Sequence, residues 1–184
     1  MAKAKAIVFL TTNEQKYDEI AALLEEEAGV DVERRTERLP VPPSSAPRDV
    51  AQFRALEAFK VLRSPVFAEA LAIELADGAL SGASFRQAFE QPGGSSWLTK
   101  HDGKPGVARV AVGYTADGKE ARVFEAEIRG TLRTAARGDG NAAWERHWVP
   151  DGREETLAEL AGHAEGDQVR NAAYLALAKA LTAR

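Results

Sequence analysis

The sequence AIVFLTTNEQKYDEIAALL at residues 6–24 decides the fold. It opens with the apolar run AIVFL, whose β-branched and aromatic side chains predict a strand buried on both faces. After the polar residues Thr11 and Thr12, apolar side chains recur with the spacing of a helix. Asn13 is a favoured N-cap residue, and Glu14 places a carboxylate in the first turn, where it is stabilised. The stretch therefore predicts a strand that passes through a polar turn into an amphipathic helix.

The turn between this strand and this helix predicts an anion-binding site. Backbone N–H groups at the start of a helix attract anions, and Lys16 adds a mobile positive charge. A phosphate or carboxylate would contact Thr11, Thr12, Asn13 and Lys16. The alternative is a purely structural turn, because this one lacks the glycines of a P-loop or of a dinucleotide-binding motif.

Composition limits the class of protein. A chain of 184 residues suits a single domain spanning residues 1–184, here with two lobes. The net charge of −4 and the pI near 5.5 argue against a nucleic-acid partner. The absence of cysteine excludes disulfides and thiolate metal sites. No apolar run approaches the ~20 residues that span a bilayer, and the first strand starts too early for a signal peptide, so we expect a cytoplasmic protein without a membrane partner.

The rest of the chain predicts further strands and helices around a mixed sheet. Four prolines make residues 39–47 a loop, and residues 65–75 suit a strand or a helix equally. An Asp-Gly turn between two alternating runs predicts a hairpin, and Thr156 with Glu159 forms a capping box. The predicted strands lie at residues 30–34, 107–114, 121–132 and 147–149, and the predicted helices at 48–63, 84–90, 156–160 and 167–184. This order predicts an α/β or α+β domain.

Apolar spacing indicates the faces of two of these helices. In the predicted helix at residues 48–63, the residues that recur at helical spacing are Val50, Phe53, Leu56 or Glu57, Lys60 and Val61, with alanines between them. In the last predicted helix, one side carries Val169, Ala173, Leu177 and Ala180.

Four motifs carry more information than the composition. The pattern T-G-N-x-x-K-x-x-E is matched at Thr11, Asn13, Lys16 and Glu19, with Thr12 in place of glycine. The sequence PVFAE at 65–69 is similar to a strand that leads to an acidic pair, and residues 124–132 to F-x-G-x-x-x-G-x-I, with Ala126 for the first glycine and Gly130 retained. The pattern R-G-x-x-x-F-G-W-D-P-x-F-x-P-D-G-x-x-x-T-x-A-E is followed without a gap through Arg137-Gly138, Trp144-Glu145, Trp148, Pro150-Asp151-Gly152 and Thr156-x-Ala158-Glu159. Over nearly its full length the chain resembles the inosine triphosphate pyrophosphatase family.

This resemblance implies a fold and a reaction. The family fold is a long mixed sheet flanked by two α/β lobes, with a nucleotide in the cleft between them, and the protein is usually a homodimer. The family reaction is attack of water near the α-phosphate of a nonstandard purine nucleoside triphosphate, with release of pyrophosphate. It requires Mg²⁺ to neutralise the triphosphate, carboxylates to hold the metal and orient water, and cationic side chains on the phosphates.

The chain departs from the family pattern at the residues of the chemistry. The acidic pair reads Glu69-Ala70, Arg54 replaces a common lysine, and Val41 lies near the position of another carboxylate. The purine-clasping F-G-W-D reads AAWE at residues 142–145. The S-H-R signature is absent in either register of residues 169–173.

The resemblance leaves a defined set of candidate residues. The candidate catalytic residues are Glu69 and Glu145, and the candidate ligand-binding residues are Thr11, Thr12, Asn13, Lys16, Arg54, Trp144 and Arg170. No metal ligand is assigned, and Mg²⁺ is expected only if the protein is catalytically active. The structural alternative makes Asn13 a helix cap, Glu69 a satisfied polar group and Trp144 a core residue.

Three hypotheses for the function remain open. In the first, a nucleotide or other phosphorylated ligand binds in the cleft, its phosphates on the turn and its ring against Trp144, without efficient release of pyrophosphate. In the second, the site is active on nucleoside triphosphates or on another phosphorylated metabolite. In the third, the protein is a non-catalytic dimeric scaffold. A metal site would bring at least two of Glu69, Glu74, Asp77 and Glu145 near Lys16.

Overall fold

The computed structural model of the protein describes residues 6–90, 96–139 and 142–183. The strands are β1 (Ile7–Leu10), β2 (Val32–Arg35), β3 (Val66–Leu75), β4 (Gly78–Ser81), β5 (Pro105–Thr115), β6 (Arg122–Leu132) and β7 (Trp148–Pro150). The α-helices are α1 (Glu14–Ala28), α2 (Pro47–Leu62), α3 (Gly82–Glu90), α4 (Ser96–Lys100), α5 (Ala164–Arg170) and α6 (Ala172–Thr182), and a 3₁₀ helix spans Ala143–His147. Within these residues, no helix is both long and apolar enough to cross a membrane.

The strands form one mixed sheet. Its order is β2-β1-β3-β5-β6-β7, and β4 pairs with β3. β1 is parallel to both β2 and β3, whereas the β3–β4 and β6–β7 pairs are antiparallel. The predicted α/β class with a mixed sheet is therefore confirmed, and residues 65–75, which suited a strand or a helix, contain a strand.

The chain divides into two compact units. Unit 1 comprises Met1–Ala70, Val110–Glu125 and Ala173–Arg184. Unit 2 comprises Leu71–Arg109 and Ala126–Ala172. Each unit has its own buried residues.

The strands at the centre of unit 1 are covered on both faces. All four residues of β1 are buried, as its apolar run predicts. On one face, the rings of Phe9 and Phe67 stack with centroids 4.5 Å apart, and Tyr174 of α6 packs edge-on against both. On the other face, Val66 and Ala68 pack with residues of α2. Successive residues of β3 thus contact different helices, as strand geometry requires.

Helix α2 packs through its small residues. Its buried residues include Ala51, Ala55 and Ala58, whereas Val61 is 60% exposed. The helix lies so close to β5 that a Cβ atom on Gly113 would come within 2.3 Å of the Ala51 carbonyl oxygen. At Ala51 the helix backbone therefore approaches β5 too closely for a larger side chain at position 113, and the fully buried positions of α2 are alanines rather than the bulkier residues that space this helix in the sequence.

Unit 2 has an aromatic core. Phe85 of α3 packs against Phe89 and, edge to face, against Trp144 of the 3₁₀ helix. Leu132, Trp148 and Leu157 are fully buried in the same cluster. A second set of contacts is polar: Arg109 of β5 binds Glu74 of β3 at 2.7 Å and also pairs with Glu127 of β6, and all three side chains are partly exposed.

Two predictions for the C-terminal third are corrected. The single helix predicted at residues 167–184 is two helices, α5 and α6, separated at Asn171, whose φ of −105° and ψ of 14° are not helical. Val169 is 42% exposed, because α5 instead buries Gly166 and Arg170. Residue 184 lies outside the described residues.

The predicted helix at residues 156–160 is also corrected. The capping box forms, since the Thr156 N–H donates to the Glu159 carboxylate at 2.8 Å and the Glu159 N–H donates to the Thr156 hydroxyl at 3.2 Å. The chain then continues in turns rather than in a helix.

Candidate functional site

The turn between β1 and α1 has the predicted cap. The Asn13 side chain accepts a hydrogen bond from the Lys16 N–H at 3.0 Å, and the Thr11 hydroxyl accepts one from the Asn13 N–H at 3.1 Å. The N–H groups of Glu14 and Gln15 lie in the same first turn, where a helix supplies no partner of its own. The turn therefore combines a fixed backbone with donors directed away from the helix.

A lysine and a glutamate meet beside this turn. Lys16 Nζ lies 2.5 Å from Glu69 Oε2, and the two side chains are 14% and 16% exposed. The sheet register explains the contact, because Ala68 pairs with Leu10, the last residue of β1, so Glu69 stands next to the start of the turn. Two candidate site residues that come from different sequence motifs are thus in contact.

Tyr174 completes this group, although no sequence motif pointed to it. Its hydroxyl donates to Glu69 Oε2 at 2.7 Å, and its ring centroid lies 5.8 Å from Lys16 Nζ. The residue is 1% exposed. The available signal was a tyrosine within an alanine-rich amphipathic helix, since a buried tyrosine hydroxyl usually has a hydrogen-bond partner. Its partner is 105 residues away in the sequence and could not be predicted from spacing.

Ala70, the position of the missing second carboxylate, lies in an apolar cluster. It is buried with Ala51 and Ala111, and Val50 and Val123 pack against this group. Its neighbour Glu69 instead contacts α1 and α6, because adjacent residues of a strand point to opposite faces. An acidic side chain at position 70 would therefore face alanines in this conformation.

The other predicted carboxylate, Glu145, forms a buried ion pair in unit 2. Its Oε2 accepts hydrogen bonds from Nε and Nη2 of Arg170 at 3.1 and 2.9 Å. Arg170 also donates to Asp167 at 3.0 Å through Nη1. The side chains of Arg170 and Glu145 are only 3% and 6% exposed. A predicted catalytic residue and a predicted ligand-binding residue are thus each other's partners.

The remaining predicted residues occupy varied environments. Trp144 is buried in the aromatic core, and its indole N–H has no hydrogen-bond partner in the described part of the chain, so packing places this ring. Arg54 is half-buried on α2, in unit 1. Thr12 is exposed in the β1–α1 turn.

Each of the four candidate carboxylates for a magnesium site has a basic partner. Glu69 is paired with Lys16, Glu74 with Arg109, Asp77 with Lys104 and Glu145 with Arg170. Across residues 6–90, 96–139 and 142–183, no group of three acidic or histidine side chains could hold a metal ion. Magnesium in proteins is usually bound by one or two carboxylates together with water and substrate phosphate oxygens, and here each candidate carboxylate contacts a different basic side chain.

A surface hollow lies elsewhere in unit 2. Its volume is about 650 Å³, and its lining residues are Asp102, Arg133, Thr134, Ala135, Arg137, Val149, Arg153 and Glu154. The predicted site residues are not among these eight.

The mixed sheet and the capped strand–turn–helix define an α/β protein with a candidate anion-binding turn. The sequence profile of the Ham1 family matches residues 7–179, and the chain belongs to this family. This result confirms the resemblance found from the motifs.

Individual relatives agree with this family. The chain is 28% identical over 159 residues to a dITP/XTP pyrophosphatase of Methanopyrus kandleri, covering 84% of each chain. It is 29% identical to inosine triphosphate pyrophosphatase 1 of Trypanosoma cruzi over 84% of this chain and 80% of the relative.

Solved structures share the fold. A HAM1 protein from Coxiella burnetii superposes with a TM-score of 0.73 at 16% identity, covering 98% of this chain and 100% of the other. A nucleoside-triphosphatase, or dITP/XTP pyrophosphatase, from Mycobacterium abscessus gives a TM-score of 0.66 at 22% identity, with coverages of 95% and 97%.

Proposed function

We propose that the protein binds a nucleotide or another phosphorylated ligand at the β1–α1 turn of unit 1. We further propose that the pyrophosphohydrolase activity named for its relatives is lost or strongly altered in this chain. Membership of the Ham1 family and the relatives' names, which specify inosine, dITP and XTP pyrophosphatases, support a nucleotide as the ligand.

The observation that carries the binding proposal is the position of Lys16. Its ammonium is held by Glu69 at 2.5 Å, beside a helix start capped by Asn13. The partial positive charge of a helix start and a lysine side chain act on the same small region, and both favour a phosphate group. The 14% exposure of Lys16 leaves it within reach of a ligand.

The partners of the two candidate catalytic carboxylates support the proposal that hydrolysis is lost or altered. Cleavage of a phosphoanhydride requires neutralisation of the charge on the phosphates and orientation of the attacking water. In this chain Glu69 is bonded to both Lys16 and Tyr174, and Glu145 is bonded to Arg170 inside unit 2. Each candidate carboxylate is thus already engaged by protein donors at its Oε2 atom.

The test is a ligand panel on the unmodified protein. Inosine, xanthosine and adenosine triphosphates and inorganic pyrophosphate are screened by thermal shift, with Mg²⁺ and with chelator, because a ligand that binds only the native state raises the melting temperature. Release of pyrophosphate is measured on the same samples. We expect binding with near-background release.

Two results would contradict this proposal. Turnover at a rate typical of enzymes would establish the active-enzyme alternative and would show that the chemistry uses other residues. No shift with any phosphorylated ligand would favour the non-catalytic scaffold.

The oligomeric state is a separate proposal. We expect a homodimer, as the family resemblance implies. Sedimentation at micromolar concentration measures this directly, and a monomer mass would contradict it.

A further inference from the structure

Tyr174 has a feature that packing alone does not require. Its ring lies in the core of unit 1, with centroids 6.0 Å from Phe9 and 6.3 Å from Phe67. A phenylalanine would fill the same space. The informative atom is therefore the hydroxyl, which donates to Glu69 Oε2 at 2.7 Å.

Two donors converge on one carboxylate oxygen. Lys16 Nζ lies 2.5 Å and the Tyr174 hydroxyl 2.7 Å from Glu69 Oε2. Hydrogen bonds to an ionised group are roughly twice as strong as those between neutral groups. Because the tyrosine ring is immobilised by packing, its hydroxyl restricts the rotamers of Glu69, and the carboxylate in turn restricts Lys16.

The ring of Tyr174 also acts on Lys16 directly. The ammonium lies 5.8 Å from the ring centroid, within the range of a cation–π contact. Tyr174 thus contacts both members of the ion pair, one through its hydroxyl and the other through its ring.

We propose that Tyr174 is a positioning residue for the anion-binding turn. Its hydroxyl fixes Glu69 and its ring supports Lys16, so that the ammonium is held beside the start of α1, where a phosphate group would bind. The identity of the ligand rests on the proposed function, whereas the positioning rests on these three contacts.

The test compares two tyrosine-to-phenylalanine variants. Tyr174→Phe keeps the packed ring and removes the hydroxyl bonded to Glu69. Tyr17→Phe is the matched control, because Tyr17 follows Lys16 on α1, belongs to the same unit and donates its hydroxyl to the Val32 carbonyl oxygen at 3.1 Å. Melting temperatures establish that both variants are folded.

The first measurement needs no ligand. The rate at which an amine-reactive reagent modifies Lys16 is followed by mass spectrometry, with Lys60, an exposed lysine on α2, as the internal reference. We expect Lys16 to react several-fold faster in Tyr174→Phe than in the wild type, and at the wild-type rate in Tyr17→Phe. Equal rates in Tyr174→Phe and the wild type would overturn the proposal.

The second measurement is the affinity for inorganic pyrophosphate by calorimetry. Loss of one hydrogen bond to a charged group should weaken binding about tenfold in Tyr174→Phe. In a Glu69→Gln background the same substitution should cause little further loss, because residues that act through each other are not additive. Equal losses in the two backgrounds would overturn the role through Glu69. If the wild type binds neither pyrophosphate nor any nucleotide of the panel, the proposed function fails, and the labelling rates alone decide the role of Tyr174.

Discussion

Each unit contains an ion pair between residues that the sequence singled out, and the two pairs differ in their access to water. In unit 1, Lys16 and Glu69 are 14% and 16% exposed. In unit 2, Arg170 and Glu145 are 3% and 6% exposed, and two hydrogen bonds from the guanidinium reach the same carboxylate oxygen. The Lys16–Glu69 pair is partly accessible to solvent and is called the open pair. The Arg170–Glu145 pair is buried and is called the closed pair.

The difference in solvent exposure suits the first ion pair to binding a ligand and the second to stabilising the fold. A charged side chain must be reachable to bind an anion, and the open pair meets that condition at the start of a helix. A buried pair is costly to break, because removing one partner leaves an uncompensated charge away from water. The closed pair therefore favours a structural role for Glu145 and Arg170 over the catalytic and ligand-binding roles predicted from the motifs.

The largest expected effect comes from breaking the closed pair. Arg170→Ala leaves Glu145 buried without its guanidinium and should lower the free energy of unfolding by about 3–5 kcal/mol. Urea unfolding at neutral pH measures this loss.

Two further variants sharpen this prediction. Arg153→Ala removes a pair in which Arg153 is 45% and Glu165 is 79% exposed, and it should cost at most about 1 kcal/mol. Replacing both members of the closed pair by apolar residues should recover part of the Arg170→Ala loss, since no charge is then left buried. Equal losses for Arg170→Ala and Arg153→Ala would remove the distinction between the closed pair and a surface pair.

The next largest effect is expected at Ala70. Ala70→Asp places a carboxyl group against Ala51 and Ala111 and should lower the free energy of unfolding by about 3 kcal/mol. It should also leave the release of pyrophosphate near background, because position 70 does not share the face of Glu69. Ala70→Leu tests size alone at the same site. Robust turnover by Ala70→Asp would show that the rest of the site is intact and that its departures from the family pattern were overestimated.

The sequence predicted features that depend on neighbouring residues. The β1 strand, the Asn13 cap and the Thr156 capping box follow from side chains within a few positions of one another, and all three are confirmed. The family pattern also placed Lys16 and Glu69 in one candidate site before any contact was known.

The features that the sequence missed depend on distances between elements. The alanine face of α2 is buried because the helix approaches β5 at Gly113, which apolar spacing does not encode. The contact between Tyr174 and Glu69 joins α6 to β3 across 105 positions. The pairing of Glu145 with Arg170 was missed because the motif comparison treated each residue as a contact for a ligand.

A smaller effect is expected for the open pair. Lys16→Ala should weaken binding of pyrophosphate or inosine triphosphate about tenfold or more, since a charged contact to phosphate is lost. The melting temperature should change little, because the pair is partly exposed. Lys60→Ala is the matched control, since Lys60 also pairs with a glutamate, Glu57, in unit 1 and is 65% exposed. Unchanged affinity in Lys16→Ala would remove this lysine from the site.

The smallest effect is expected at an exposed carboxylate of unit 2. Asp102 accepts a hydrogen bond from the Thr134 N–H at 2.7 Å, and this bond, with a smaller contribution from the charge of Arg133, lowers the pKa of Asp102 below its ordinary value of 3.8. Because the pKa is lower in the folded state, the stabilisation is present at pH values above the unfolded pKa and is lost as the pH falls through the folded pKa. Asp102→Asn keeps an oxygen for Thr134 but cannot titrate, so its stability should fall less steeply than that of the wild type between about pH 5 and about pH 2. Urea midpoints across this range measure the two slopes. Identical slopes would show that an exposed carboxylate with a backbone donor contributes nothing to the acid sensitivity of unit 2.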